Sequence, residues 1–221
     1  MRTPLIIVGT SGHAAVVVDA IERGGSREIV AFVDSARSPG DSAFGYPVIG
    51  PEDRLPAFLL DHGACEAVVA IGDNFQRRRM AARLRALVPG LRLATVVHPA
   101  ACVSPRAMLG DGVVILAGAI VCAGARVGDG AVLNTGCSLD HDSAMAPWSS
   151  LGPRAVTGGR VRIGECGSVA IGATVLQGRT VGCHAIVGAG AVATRDTADH
   201  AVAVGVPARV VRRRCEDEPA P

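Results

Sequence analysis

The segment Asp140-His141-Asp142 combines residue types that can carry out acid–base chemistry. An imidazole can accept a proton near neutral pH, and a neighbouring carboxylate fixes its tautomer and strengthens it as a base. Either Asp140 or Asp142 could be that carboxylate. Because the surrounding sequence has Gly and Ala at the equivalent positions, we interpret His141 as a general base. The alternative is a solvated polar corner without a chemical role.

A six-residue period positions this segment. Counting in steps of six from Val103 to Val187 gives fifteen positions, of which fourteen are aliphatic and the exception is Thr157. A small residue usually follows four positions later, as at Ala119 and Ala131. The pattern predicts one short strand and one corner per hexad, with three hexads per 18-residue coil. The sequence therefore predicts a parallel β-helix of five coils.

Residues 18 apart should stack in this β-helix, which places Gly159 one coil from His141. We expect the missing side chain to leave room for an acyl donor and the Gly159 amide to donate to an oxyanion. A neighbouring column that begins at Asn134 is also composed mostly of small residues, and it could form the wall of a groove.

The first hundred residues alternate between strand and helix patterns. Four apolar runs (5–8, 29–33, 67–71 and 93–97) flank two helical patterns (14–23 and 75–88), which predicts a small doubly wound parallel sheet. We expect an α/β Rossmann-like domain over residues 1–98, a β-helix over 99–211 and a C-terminal tail over 212–221. The second helix should have a basic face formed by Arg77, Arg78, Arg79, Arg83 and Arg85.

Loops that follow the predicted strands are candidates for ligand binding, because the carboxyl ends of parallel strands meet at one edge of the sheet. Glycine amides and a helix N-terminus suit a pyrophosphate, and Asp34 could accept from a ribose hydroxyl. The glycine motif is shorter than a full dinucleotide fingerprint, so a purely structural turn is the alternative. The candidate substrate-binding residues here are Gly9, Ser11, Gly12, His13, Asp34, Gly72, Asp73 and Asn74.

Composition argues against several other classes of protein. A formal net charge of +2 gives no support for a nucleic-acid partner, and the longest uncharged apolar stretch, 113–125, is too short to span a membrane. Seven cysteines without a CxxC pair are typical of a reducing cytoplasm. Histidines do not converge in the stacking register, so we expect no bound metal.

The chain resembles the bacterial hexapeptide-repeat sugar acetyltransferases of the bacillosamine, perosamine and sialic acid pathways. The resemblance covers nearly the full length and is carried by the motifs 9–13, 134–136, 140–142, 158–159 and 205–209. It implies a left-handed β-helix, a homotrimer, and acetyl-CoA bound between adjacent β-helices. It also implies that the N-terminal domain holds a nucleotide-linked amino sugar.

Individual site residues follow from the same resemblance. His141 matches the catalytic base of the family and Asp142 the acid that supports it, and Asn134 is a candidate substrate contact. Positions that line the acetyl-CoA site are Ser150, Gly159, Ile171 and Ala189. The chain departs from the family at Ser150, where a histidine is common, and over residues 145–148, which put the cofactor contacts of this stretch in question.

The expected activity is N-acetylation of a UDP- or GDP-linked 4-amino-4,6-dideoxy sugar. Transfer should be direct, because the sequence places no suitable Ser or Cys nucleophile beside His141. Two alternatives remain open: O-acetylation of a sialic acid or another sugar, and an inactive nucleotide-sugar-binding partner.

Overall fold

Three parallel strands form the N-terminal sheet in the computed structural model, which describes residues 2–63 and 65–218. Their order is β2–β1–β5, and a small antiparallel pair, β3 and β4, lies beyond β2. The elements are β1 (Thr3–Val8), α1 (Gly12–Gly24), β2 (Arg27–Val33), β3 (Ser42–Ala43), β4 (Tyr46–Pro47), a 3-10 turn (Glu52–Arg54), α2 (Leu55–His62), β5 (Glu66–Val69) and α3 (Asn74–Leu87).

Both faces of this sheet are covered, as the continuous apolar run of β1 requires. Leu5 and Ile7 belong to a buried cluster with α1, whereas Ile6 and Val8 belong to a cluster with α2 and α3. The expected doubly wound α/β arrangement is confirmed.

Short strands with an 18-residue register form the second part of the chain. Leu139, for example, pairs with Val121 one coil earlier. The strands are β6 (Val96–Val97), β7 (Cys102–Val103), β8 (Met108–Leu109), β9 (Val114–Ile115), β10 (Ile120–Val121), β11 (Arg126–Val127), β12 (Val132–Leu133), β13 (Ser138–Leu139), β14 (Ala144–Met145), β15 (Ser150–Leu151), β16 (Val156–Thr157), β17 (Arg162–Ile163), β18 (Ser168–Val169), β19 (Thr174–Val175), β20 (Thr180–Val181), β21 (Ile186–Val187) and β22 (Val192–Ala193).

These strands form the three sheets of a solenoid. Sheet I contains β7, β10, β13, β16, β19 and β22, sheet II contains β8, β11, β14, β17 and β20, and sheet III runs from β6 through β9, β12, β15, β18 and β21. The hexad positions from Ile115 to Val187 point into a shared core, and the small residues four positions later line the corners. The period read from the sequence therefore identifies the inward-facing residues correctly.

The solenoid extends beyond the predicted hexads at both ends. The expected strand over 93–97 is divided: Leu93 bridges to Ala67 of the N-terminal sheet, whereas β6 pairs with β9 as the first rung of sheet III. Sheet III continues into β23 (Ala201–Val204), and β24 (Arg209–Arg213) pairs antiparallel with β23. The solenoid thus has about six turns instead of five, and Arg212 and Arg213 belong to a strand, not to a tail.

Candidate active site

His141 lies at the corner that joins sheet I to sheet II, and its ring is held by Asp142. Nδ1 of His141 is 2.9 Å from Oδ2 of Asp142, whereas the Asp140 carboxylate accepts the backbone N–H of His141 at 2.7 Å. Asp142 is therefore the residue that supports the ring. When Nδ1 donates to Asp142, Nε2 keeps a free lone pair and can act as a base. The His141 side chain is 47% exposed, so a substrate can reach it.

One coil after this corner, strand β16 departs from the regular pattern. Its inward-facing residue is Thr157, where the other strands have an aliphatic residue. At other corners of sheet I the first corner amide donates to a backbone carbonyl one coil later, as Cys122 does to Leu139. At the His141 corner the Asp140 amide donates instead to Oγ1 of Thr157, at 3.0 Å. The Thr157 hydroxyl thus takes the place of the backbone carbonyl as the acceptor, and it fixes the residue next to His141.

Gly159 stacks on His141 as the register predicts, but the space beside it is not free. A Cβ atom at residue 159 would lie 2.5 Å from Cε1 of His141 and would overlap with Nε2. The expectation that this glycine leaves room for an acyl donor is wrong, because the imidazole itself occupies that room. A substrate must therefore reach Nε2 from the exposed side of the ring.

The predicted cofactor residues do not converge within one chain. Ile171 and Ala189 lie at the corner between sheets III and I, and both are exposed. Ser150 is on the outer side of sheet III, where its hydroxyl lies 3.1 Å from Nδ2 of Asn74 and 3.2 Å from Oγ of Ser168. Gly159 is on the His141 corner.

Asn134 begins the corner that follows β12, in the same column as Ala170 and away from His141. Its amide donates to the carbonyl of Leu151 at 3.0 Å. Within one chain this residue stabilises the solenoid and does not reach the proposed base.

A groove of about 680 Å³ begins at Asp142 and extends along sheet II. Arg126 and Arg162 line it from coils that are two apart, with Ala144 on the coil between them, and Thr180 and Asp199 lie farther along. Two guanidinium groups beside the His141 corner suit an anionic molecule, since arginine pairs well with phosphate.

The loops after β1 and β2 form a second cavity, of about 200 Å³. It brings three of the predicted substrate residues, Gly9, Ser11 and Asp34, together. Oδ2 of Asp34 accepts from the amide and the hydroxyl of Thr10, at 2.8 Å and 2.6 Å. Partial burial alone would raise the pKa of Asp34, but the hydrogen bonds from Thr10 and Ala36 hold it below its ordinary value.

His13 follows these loops in the first turn of α1. Burial of the ring, together with the nearby Arg77 charge, lowers its pKa from 6.5 to about 4. Its Nε2 atom is buried and has no hydrogen-bond partner among the described residues. The ring is therefore neutral at physiological pH. Neither His13 nor the neighbouring Gly12 lines the 200 Å³ cavity.

The third predicted loop, residues 72–74 after β5, does not line this cavity. The structure places Asn74 in the contact between the two domains. Its side-chain amide donates to the carbonyls of Cys166 and Gly167, both at 3.2 Å. Asp73 caps α3 by accepting the amide of Gln76, and Gly72 accepts from Arg77. Asn74 does not line the 200 Å³ cavity, and within one chain its side chain is engaged in this domain contact.

Arg77 is also a domain contact and not part of a basic surface. It is 1% exposed, and burial lowers its pKa to about 10. Among the described residues it makes five hydrogen bonds to uncharged oxygens of the two domains, at 2.8–3.1 Å: the carbonyls of Ile71, Gly72, Gly130 and Trp148 and the side-chain amide of Asn74. The sequence pattern gave no sign of this role, because arginines surround Arg77 on the same helix.

All seven cysteines lie within the described residues and are free thiols. Burial raises the pKa of Cys137 to about 12 and that of Cys166 to about 11, so both are unreactive thiols. Within residues 2–63 and 65–218 no cluster of three or more His, Cys, Asp or Glu side chains could hold a metal ion. In the same ranges no helix is both long and apolar enough to cross a membrane.

Comparison with known proteins identifies the family. The model of the PglD N-terminal domain matches residues 4–84. A structure of PerB from Caulobacter crescentus, in complex with CoA and GDP-perosamine, is 38% identical over 95% of this chain and 98% of that chain, with a TM-score of 0.88. The chain belongs to the hexapeptide-repeat sugar acetyltransferases.

A second member of this acetyltransferase family is similar over the same length. The acetyltransferase domain of PglB from Neisseria gonorrhoeae, in complex with acetyl coenzyme A, is 34% identical over 96% of this chain and all of that chain, with a TM-score of 0.86. WeeI from Acinetobacter baumannii shares the fold at 20% identity, over 95% of this chain and all of that chain, with a TM-score of 0.77. A search of curated proteins found no match.

Proposed function

We propose that this protein is an acetyl-CoA-dependent N-acetyltransferase that acts on the amino group of a nucleotide-linked 4-amino-4,6-dideoxy sugar. The observation that carries the proposal is the exposed imidazole of His141, whose Nδ1 is held by Asp142 while Nε2 is free. The relatives support the choice of substrates, since the structure of PerB contains CoA and GDP-perosamine.

In the proposed reaction the amine nitrogen of the sugar attacks the carbonyl carbon of the thioester. A C–N bond forms, and Nε2 of His141 takes the proton that the nitrogen loses. The C–S bond then breaks, and the thiolate of coenzyme A recovers the proton from the imidazolium. Ser143, the nearest hydroxyl in the corner, is buried and accepts the amide of Val161, so it does not supply an acyl-enzyme nucleophile.

The assembly we propose is a homotrimer. Ile171 and Ala189 lie on a corner different from that of His141, so a cofactor that contacts both corners must lie between two chains. Cyclic, heterologous contacts would bring the corner of one protomer against the next, with three equivalent sites. The unpaired cysteines fit a cytoplasmic location.

The direct test is replacement of His141 by alanine. We expect kcat to fall by about 100- to 10,000-fold, the range typical of a general base, because no other group takes the proton. The KM for acetyl-CoA should change little, since the imidazole acts on the acceptor. Release of coenzyme A with GDP- and UDP-linked 4-amino sugars measures both quantities.

A matched control is His62→Ala, which removes an exposed imidazole on α2, outside both cavities. This variant should retain wild-type kcat. If His141→Ala has near-normal kcat and the size of the wild-type assembly, His141 is not the base.

A further inference from the structure

Glu52 is a buried acid in the second cavity. It begins the 3-10 turn that follows β4, is 4% exposed, and lines the same 200 Å³ space as Gly9, Ser11 and Asp34. The backbone places it there, because the Asp34 amide donates to the carbonyl of Gly50 at 2.9 Å, two residues before Glu52.

The two carboxylate oxygens of Glu52 have different environments. Oε1 is 2.8 Å from Nε of Arg83 and forms an ion pair. Oε2 is also buried but has no hydrogen-bond partner among the described residues. A buried carboxylate oxygen without a donor is costly, and Glu52 lines the cavity, so a ligand with hydrogen-bond donors would stabilise this carboxylate.

The remaining walls of the cavity suit a flat heterocycle. Ile71 and Met80 lie opposite the β1 and β2 loops and provide apolar surface. A nucleotide with its phosphates at the amides of residues 9–11 and its ribose at Asp34 would place its base toward Glu52.

We propose that Glu52 reads the base of the nucleotide sugar and that this base is guanine. Guanine presents two adjacent donors, N1–H and the exocyclic amino group, and a carboxylate can accept both. Uracil presents one N–H between two carbonyl oxygens, which a carboxylate repels. Adenine presents a ring acceptor beside its amino group and matches a carboxylate less well than guanine does.

This inference rests on the proposed function, because it assumes that the cavity holds the nucleotide of the acceptor. It deepens that function by selecting a GDP-linked sugar over a UDP-linked one. GDP and inosine diphosphate differ by the exocyclic amino group alone, so the pair isolates one of the two donors.

The test is calorimetry of GDP, inosine diphosphate and UDP with the wild-type protein and with Glu52→Gln. We expect the wild type to bind GDP about 10- to 100-fold more tightly than inosine diphosphate, and UDP more weakly still. In Glu52→Gln, GDP affinity should fall by a similar factor while inosine diphosphate changes less, because the amide offers one acceptor and one donor.

Asp53→Asn is the matched control, since it removes the same charge from an exposed position in the same turn; it should bind GDP as the wild type does. Residual binding of inosine diphosphate by Glu52→Gln shows that the variant is folded. Equal affinity of the wild type for UDP and GDP overturns the assignment of the base but leaves the acetyltransferase proposal intact. A GDP preference that survives in Glu52→Gln overturns the role of Glu52. Failure of all three nucleotides to bind the wild type overturns the nucleotide-sugar acceptor itself.

Discussion

At the scale of single residues, the proposed base and His13 are imidazoles in opposite surroundings. His141 is half exposed and held by a carboxylate, whereas His13 is enclosed near the Arg77 charge with Nε2 unpaired. The contrast supports the proposal that the His141 ring exchanges protons with a substrate, whereas the His13 ring stays neutral at physiological pH. Residue type and loop position alone would have assigned a ligand contact to both.

His13 gives a prediction for stability as a function of pH. Because its pKa is about 4 in the folded chain and 6.5 ordinarily, the unfolded chain binds the proton more readily between these values. The free energy of unfolding should therefore decrease as the pH falls through this range. The decrease in the free energy of unfolding that is due to His13 approaches about 3 kcal/mol near pH 4 and is absent above pH 6.5.

Urea unfolding of the wild type and of His13→Gln at pH 7.5 and pH 4.5 measures the decrease in the free energy of unfolding that is due to His13. The wild type should lose more stability than the variant on acidification, since carboxylates common to both cancel in the comparison. Equal losses would mean that the ring already carries a proton in the folded state.

At the scale of elements, the rung formed by β13 and β16 connects the solenoid core to the His141 corner. Its inward residue is Thr157, whose hydroxyl accepts the Asp140 amide. Counting hexads identifies Thr157 as an exception but gives it no role. The role becomes visible when the hydrogen bonds of successive coils are compared.

Thr157→Val should fill the same volume but remove the hydroxyl that accepts the Asp140 amide, so this amide must move to reach the carbonyl of residue 157, as its equivalents do in the other coils. We expect the corner to shift and kcat to fall by roughly 10-fold, because small displacements of a positioned group are costly in rate. The free energy of unfolding should drop by at most about 1 kcal/mol, because one hydrogen bond is exchanged for a less well placed one.

Steady-state kinetics and urea unfolding measure the two effects, with Thr174→Val on the outer side of sheet I as the control. Thr157→Ser restores the hydroxyl and should recover most of the rate. If Thr157→Val and Thr157→Ser reduce kcat equally, the hydroxyl group does not account for the effect of Thr157 on kcat.

Sequence periodicity and strand–loop order accounted for the solenoid register, the inward residues, the α/β sheet and the His141–Gly159 stacking. They did not account for Asn74, Arg77 or Glu52. A period identifies which residues share a face, but not which distant backbone atoms meet them. Asn74 and Arg77 contact carbonyls more than 50 positions away, and Glu52 lies in a segment without a repeat.

At the scale of the whole molecule, the proposed trimer predicts that each active site is shared between two chains. His141→Ala removes the proposed base from the corner between sheets I and II, which we call the base corner. Ala189→Trp obstructs the exposed corner between sheets III and I. If each site combines the base corner of one chain with the Ala189 corner of the next, mixed trimers regain some intact sites. A 1:1 mixture should recover about one quarter of wild-type activity, the chance of a correct neighbouring pair.

Co-expression of the two variants, followed by sizing and measurement of acetyl transfer, decides this prediction. Each variant alone should be inactive at the wild-type size. No recovery in mixed trimers would place the entire site within one chain.

The contact made by Arg77 has a consequence for how freely the solenoid can be redesigned. Its guanidinium donates to the carbonyls of Gly130 and Trp148 in the solenoid, so these contacts depend on the path of the backbone and not on the identity of the residues. Outward side chains along the solenoid can be exchanged without removing these acceptors, provided that the coil keeps its course. The N-terminal domain therefore depends on the backbone geometry of the solenoid. Chimaeras that join it to a solenoid of different surface sequence should preserve the hydrogen bonds of Arg77 between the two domains.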